Sequence, residues 1–118
     1  MILNLTQHVA TADQIEAGVV EPKNKERVIS LLTFSSMPII EEVEVRAILL
    51  AEEVVASGHS SAMIGGAPYL MAPLVSALKA VGVRPLFAFS VRESTEQVMP
   101  DGTVRKVNTF RHQGFIEG

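Results

Sequence analysis

Cysteine and tryptophan are both missing from this 118-residue chain. Without cysteine there can be neither a disulfide framework nor a thiolate metal site, so zinc ribbons and redox pairs are excluded and secretion has no support. Histidine is scarce. His8, His59 and His112 are far apart, with no HxxxH or HxH spacing, so no metal site and no cofactor is expected. No apolar run approaches the roughly 20 residues that a membrane helix needs. The N-terminus lacks a basic segment followed by a small-residue cleavage site, and the expectation is a cytoplasmic protein.

Charged residues make up only 19% of the chain and hydrophobic ones 47%. That is a globular composition, without the high charge and low hydrophobicity of disorder. The length suits one domain over residues 1–118. A net charge of -3 argues against long nucleic acids, whose binding needs a continuous basic surface. The charge is uneven: residues 1–60 carry nine acids against four bases, residues 84–118 five bases against four acids. A small anionic ligand near the C-terminal segment is compatible with this balance.

Strand and helix signals alternate. Met1 to Thr6 reads as a first strand. Thr11 with Gln14 forms a capping box for a short helix over residues 12–17, and Pro22 opens a second helix that runs through Leu32. Apolar positions at Ile40, Val43, Ala47, Leu50, Ala51, Val54 and Val55 predict an amphipathic helix over 40–57, its acidic face solvated. Ser61 to Ile64, the turn Gly65-Gly66-Ala67-Pro68, a helix over 69–81 and a strand over 83–90 form a βαβ unit, whose strands are parallel. Pro100-Asp101-Gly102 is a turn between extended segments 95–99 and 103–110, read as a hairpin appended to the sheet edge. The predicted fold is α/β, a Rossmann-like three-layer parallel sheet with a C-terminal β-hairpin.

In such a fold, ligands bind at the carboxyl ends of the strands. Gly65 and Gly66 present unhindered backbone at a helix start, where oriented N–H groups and the helix dipole favour phosphate. The plain alternative is a tight βα turn that needs glycine for geometry alone. Thr6 and His8 end the first strand at the same edge, and His8 has the chemistry of a general acid or base, or of a helix cap. Asn4 reads as a buried, hydrogen-bonded group within the sheet. Ser90, Arg92 and Glu93 form the strongest constellation. Arg92 can grip phosphate bidentately and Ser90 can add a hydroxyl, or the charges can pair on the surface. Arg105, Lys106 and Arg111 serve either an anion or the protection of an edge strand. His112 follows them, Tyr69 to Met71 read as a base-pocket wall or a core stripe, and His59 reads as solvated.

Leu5-Thr6-Gln7-His8, Gly66-Ala67, the run from Pro85 to Glu96, Asp101 to Lys106 and Phe110 to Phe115 together resemble the small CRISPR-associated proteins of type III systems that are similar to CARF-domain ring nucleases. The resemblance covers mainly residues 1–8 and 61–115. It implies a single Rossmann-like, CARF-like domain forming a homodimer. It also implies binding of a cyclic oligoadenylate and its metal-independent cleavage, a ribose 2′-OH attacking the adjacent phosphorus to leave a 2′,3′-cyclic phosphate. On that reading His8, Arg92 and His112 are the catalytic candidates, and Thr6, Gly65, Gly66, Ser90, Glu93 and Arg111 bind the ligand. Phe89-Ser90 stands where the family pattern has two threonines, and Gly65-Gly66 where it has a more polar turn. A nucleotide-sensing module without turnover and an assembly protein with an empty cleft are the alternatives.

Overall fold

A computed structural model describes residues 1–118. Its elements are β1 (Ile2–Leu5), α1 (Ala12–Glu16), β2 (Val19–Val20), α2 (Lys25–Leu32), α3 (Ile40–Ala56), β3 (Ser61–Ile64), α4 (Pro68–Ala80), β4 (Arg84–Val98) and β5 (Val104–Glu117). The five strands form one mixed sheet in the order β2-β1-β3-β4-β5. β2, β1, β3 and β4 run parallel, and β5 returns antiparallel to β4. No helix is long and apolar enough to cross a membrane.

Alternation along the strands divides the core between the two faces of the sheet. Leu3, Leu5, Ala62 and Ile64 pack with Val28 and Leu32 of α2, Val43, Ala47, Leu50, Ala51 and Val54 of α3, and Leu70, Leu74 and Leu78 of α4. The intervening residue Met63 joins Ala10 and Val19 in a smaller cluster on the other face, with Ile2 and Phe115 against it. Three helices therefore cover one face, while the five-residue α1, which buries no side chain, is the only helix left for the other. The expected third layer is reduced to that one short helix.

The α1 capping box forms as its sequence requires: Thr11 accepts from the Gln14 N–H and the Gln14 side chain accepts from the Thr11 N–H. α3 and α4 fall within a residue of their predicted bounds. The second helix differs. It begins at Lys25 behind an Asn24 cap, not at Pro22, because Val19 and Val20 pair with Ile2 and Leu3 as β2 and the chain must first leave the sheet.

The C-terminal strands depart furthest from expectation. The predicted third strand and the first arm of the hairpin are a single 15-residue strand, and β5 pairs with it from Val104 to Glu117. Beyond Ala88 this pair has no neighbouring strand and projects as a two-stranded ribbon over residues 89–113. Only Met99, Val107 and His112 within it are even half-buried. The molecule measures 57 × 33 × 24 Å with a radius of gyration of 17.1 Å, against about 13–14 Å for a compact chain of this length.

Candidate functional site

The strand order reverses direction at β1. From β1 the chain passes through α1 to β2 on one side, and β3, reached through α2 and α3, lies on the other. The loops leaving the carboxyl ends of β1 and β3 therefore diverge, and an open α/β sheet has its ligand crevice at such a switch point. A cavity of about 500 Å³ occupies it, lined on one side by Thr6, His8 and Gln14 and on the other by Gly65, Gly66 and Ala88. No carboxylate, lysine or arginine is in its wall.

A polar network behind the cavity fixes the loop after β1. Asn4, fully buried, donates through Nδ2 to the His8 carbonyl at 2.8 Å and to both carboxylate oxygens of Glu21 at 3.1 and 3.0 Å. Its Oδ1 accepts from the Thr6 N–H at 3.1 Å and the Thr6 hydroxyl at 2.7 Å. Lys25 donates to the Thr6 and His8 carbonyls at 2.7 and 3.0 Å and pairs with Glu21 at 3.1 Å. Glu21 also accepts from the Ala10 N–H at 2.8 Å. Burial pushes the Glu21 carboxyl up, but the hydrogen bonds from Ala10, Asn4 and Lys25, with the lysine charge, outweigh it and hold the group below its ordinary value. Gln7 ties the same loop to the end of α2, donating to Thr33 Oγ1 at 3.0 Å.

The opposite wall is the turn into α4. Gly66 has φ +150°, a backbone conformation that side-chain-bearing residues rarely adopt, whereas Gly65 has no such requirement. α4 begins with Pro68 in its first turn and has no side-chain cap, unlike α1 and α2, which are capped by Thr11 and Asn24. Pro68 has no N–H to offer and the Leu70 N–H is taken by the Ala67 carbonyl at 3.0 Å, which leaves the Tyr69 N–H as the unpartnered donor among the first three helical positions. Gly66→Ala should lose about 1–3 kcal/mol of stability through backbone strain. Gly65→Ala should stay within about 0.5 kcal/mol, since its new methyl would lie 3.7 Å from Thr6 Cγ2, an ordinary contact. Urea unfolding of the two variants side by side measures the difference.

The cavity thus brings together Thr6, His8, Gly65 and Gly66, but not the C-terminal candidates. Ser90 stands one alternation step beyond Ala88 on β4, outside the lining, and Arg92 a further step out. Glu93 and Arg111 lie on the opposite side of the ribbon, where they pair with each other at 3.4 Å. His112, opposite Ser90, has its ring 4.8 Å from that of Phe115. Both its ring nitrogens are shielded from solvent and lack a hydrogen-bond partner. Tyr69 does not line the cavity; it packs edge-on against Phe34 at 5.3 Å, and Leu70 is core. Sequence reasoning missed Glu21 and Lys25. Their i,i+4 spacing was the available signal, but it describes an ordinary surface pair until β2 places them behind Asn4.

The chain belongs to the family described as "Uncharacterized protein MJ1673 family", whose profile matches residues 1–116. No match was found among curated proteins or among solved structures.

Proposed function

We propose that this protein binds a phosphate-containing nucleotide at the carboxyl edge of its sheet, the ligand class being the cyclic oligoadenylates that the resemblance to ring nucleases implies. The observation that carries this reading is the cavity at the switch between β1 and β3, where the Gly65-Gly66 turn that leads into α4 faces hydroxyl, amide and imidazole groups with no carboxylate in the wall to repel an anion. Its volume falls in the range of roughly 300–1,000 Å³ common for small-molecule sites. The parallel order β2-β1-β3-β4, with α1 serving one face and α2 to α4 the other, supports a Rossmann-like reading with a reduced third layer.

The phosphate sits over Gly65 and Gly66 at the turn into α4, where unhindered backbone and the positive end of the helix dipole favour it. Thr6 and His8 contact the sugar side. A ligand of several nucleotides reaches along β4 toward Ser90 and Arg92, which share the Ala88 side of the strand, Arg92 being about 13 Å from Ala88 at ~3.3 Å per residue. Arg92 then holds a second phosphate. For cleavage, the ribose 2′-oxygen bonds to phosphorus as its proton leaves to His8, and the bond to the 5′-oxygen breaks as that oxygen gains a proton. His8 is preferred over His112 for this step because His8 lines the cavity, whereas the His112 nitrogens are packed away.

Isothermal titration with rings of three to six adenylates, alongside adenosine monophosphate and inorganic phosphate, tests the reading. Saturable binding of a ring is expected, weakened by about 1.5–3 kcal/mol in Arg92→Ala, the range for hydrogen bonds to charged groups. No binding of any of these probes would overturn it.

A further inference from the structure

We propose that Phe110 is the base-stacking residue of a second nucleotide subsite on the β4–β5 ribbon, the one whose phosphate Arg92 holds. This subsite rests on the nucleotide binding proposed above and adds to it a residue that the cavity does not contain. Phe110 lies directly across from Arg92 in the ladder between β4 and β5, so the two side chains share one side of the ribbon with their Cβ atoms ~5 Å apart. The Phe110 side chain is 74% exposed. Arg27, Arg46, Arg84 and Arg111 are each engaged by a carboxylate, whereas Arg92 has no ion pair. Nor does its guanidinium cover the Phe110 ring; the chain's cation–π contact is Arg46 over Phe34. One rung thus offers an uncommitted cation beside an open aromatic face. A nucleotide carries an anionic phosphate and a planar base on one sugar, and those two groups engage it at both ends.

A register shift at the root of the ribbon brings Phe110 to this side. Phe89 pairs with Gly114 and Ser90 with His112, so Gln113 is an extra residue on β5, and such a bulge re-aims the side chains beyond it. Without it, strand alternation would follow Phe115 with Gln113 and Arg111, and Phe110 would face the other way. With it, Phe115, His112 and Phe110 form one row beside Ala88, Ser90 and Arg92, running outward from the cavity wall at Ala88. The 4.8 Å approach of the His112 and Phe115 rings agrees with that row. Arg111 is sent to the opposite side, where Glu93 pairs with it. A single exposed apolar side chain is ordinary on a protein surface, so its surroundings decide what this one receives. The rungs Ser94–Asn108 and Glu96–Lys106 separate it from the apolar Val98–Val104 rung at the tip. Phe110 is therefore a lone ring in a polar row, too small for the apolar core of a protein interface and matched to a base plane. Every base has a π-face, so such a ring recognises a base without reading its edge.

Calorimetric titration with the ring that the wild-type chain binds most tightly, among rings of three to six adenylates, tests the subsite. Phe110→Ala should weaken binding by about 5- to 150-fold, the equivalent of one stacked base. Phe110→Tyr, which keeps the ring, should bind nearly as wild type does. Val98→Ala, at an exposed position farther out on the same side, should leave the affinity unchanged. The chain has no tryptophan, so Phe110→Trp supplies a single indole whose fluorescence the bound ring should quench. Inorganic phosphate, which has no base to stack, should not quench it. If the wild type binds a ring and Phe110→Ala binds it equally well, the subsite is overturned while the cavity reading stands. A weakened Phe110→Ala alongside an unquenched indole would also overturn it, because the loss would then come from the packing of the ribbon. A wild-type chain that binds no ring overturns the nucleotide reading, and the subsite falls with it.

Discussion

Leu74→Ala should lower the free energy of unfolding by about 2–5 kcal/mol, a large share of the total for a domain of this size. Leu74 is completely buried at the middle of α4, within the cluster that joins α2, α3 and α4 to β1 and β3. Truncation there removes contacts on every side, and helices held by their neighbours relax only partly into the space. Ile48 of α3 provides the contrast. It is as aliphatic as Leu74 but half-exposed, and its truncation should cost less than about 1 kcal/mol. Urea unfolding at a constant slope would separate the two. A Leu74 variant within 1 kcal/mol of wild type would mean that α4 is not a core element.

The second large effect concerns chemistry. If the bound ring is cleaved as proposed, His8→Ala should slow the reaction by about 10²–10⁴-fold, the usual contribution of a general acid or base. His112→Ala should leave the rate within a few-fold. Single-turnover formation of linear and 2′,3′-cyclic products, followed by chromatography, reports both. An unchanged rate in His8→Ala would assign the catalysis to positioning and phosphate contacts. Loss of the rate in His112→Ala alone would place the proton transfer on the ribbon instead.

The helices were legible because each carries its own punctuation: the Thr11 and Gln14 box for α1, the 3.6-residue spacing of Val43, Ala47, Leu50 and Val54 for α3, and Pro68 and Gly82 around α4. The βαβ unit followed from Gly65-Gly66, and with it the edge at which Thr6, His8 and Gly66 meet. β2 was not legible, since two valines have no period and become a strand only through pairing with Ile2 and Leu3. The continuity of β4 was missed because its character changes at Ser90, from an apolar strand inside a sheet to a polar one in a free ribbon. Composition records that change of surroundings, and the pairing with β5 shifts register there, between Phe89 and Ser90, yet β4 itself continues unbroken from Arg84 to Val98. Ser90, Arg92 and Glu93 were grouped by sequence proximity, and strand alternation then sends Glu93 to the other side.

The reversal at β1 also dictates an order of events as the chain folds. The β4–β5 hairpin closes around Pro100-Asp101-Gly102, and its rungs can form from the turn outward. The ladder between β1 and β3 joins Leu3 to Ala62, residues 59 positions apart (62 − 3), and must wait for a closure that is slow for entropic reasons. A nascent chain therefore has no cavity until β3 has emerged and found β1. The arm closes at its root last, when residues 114–117 seat beside Leu86 to Phe89 of β4.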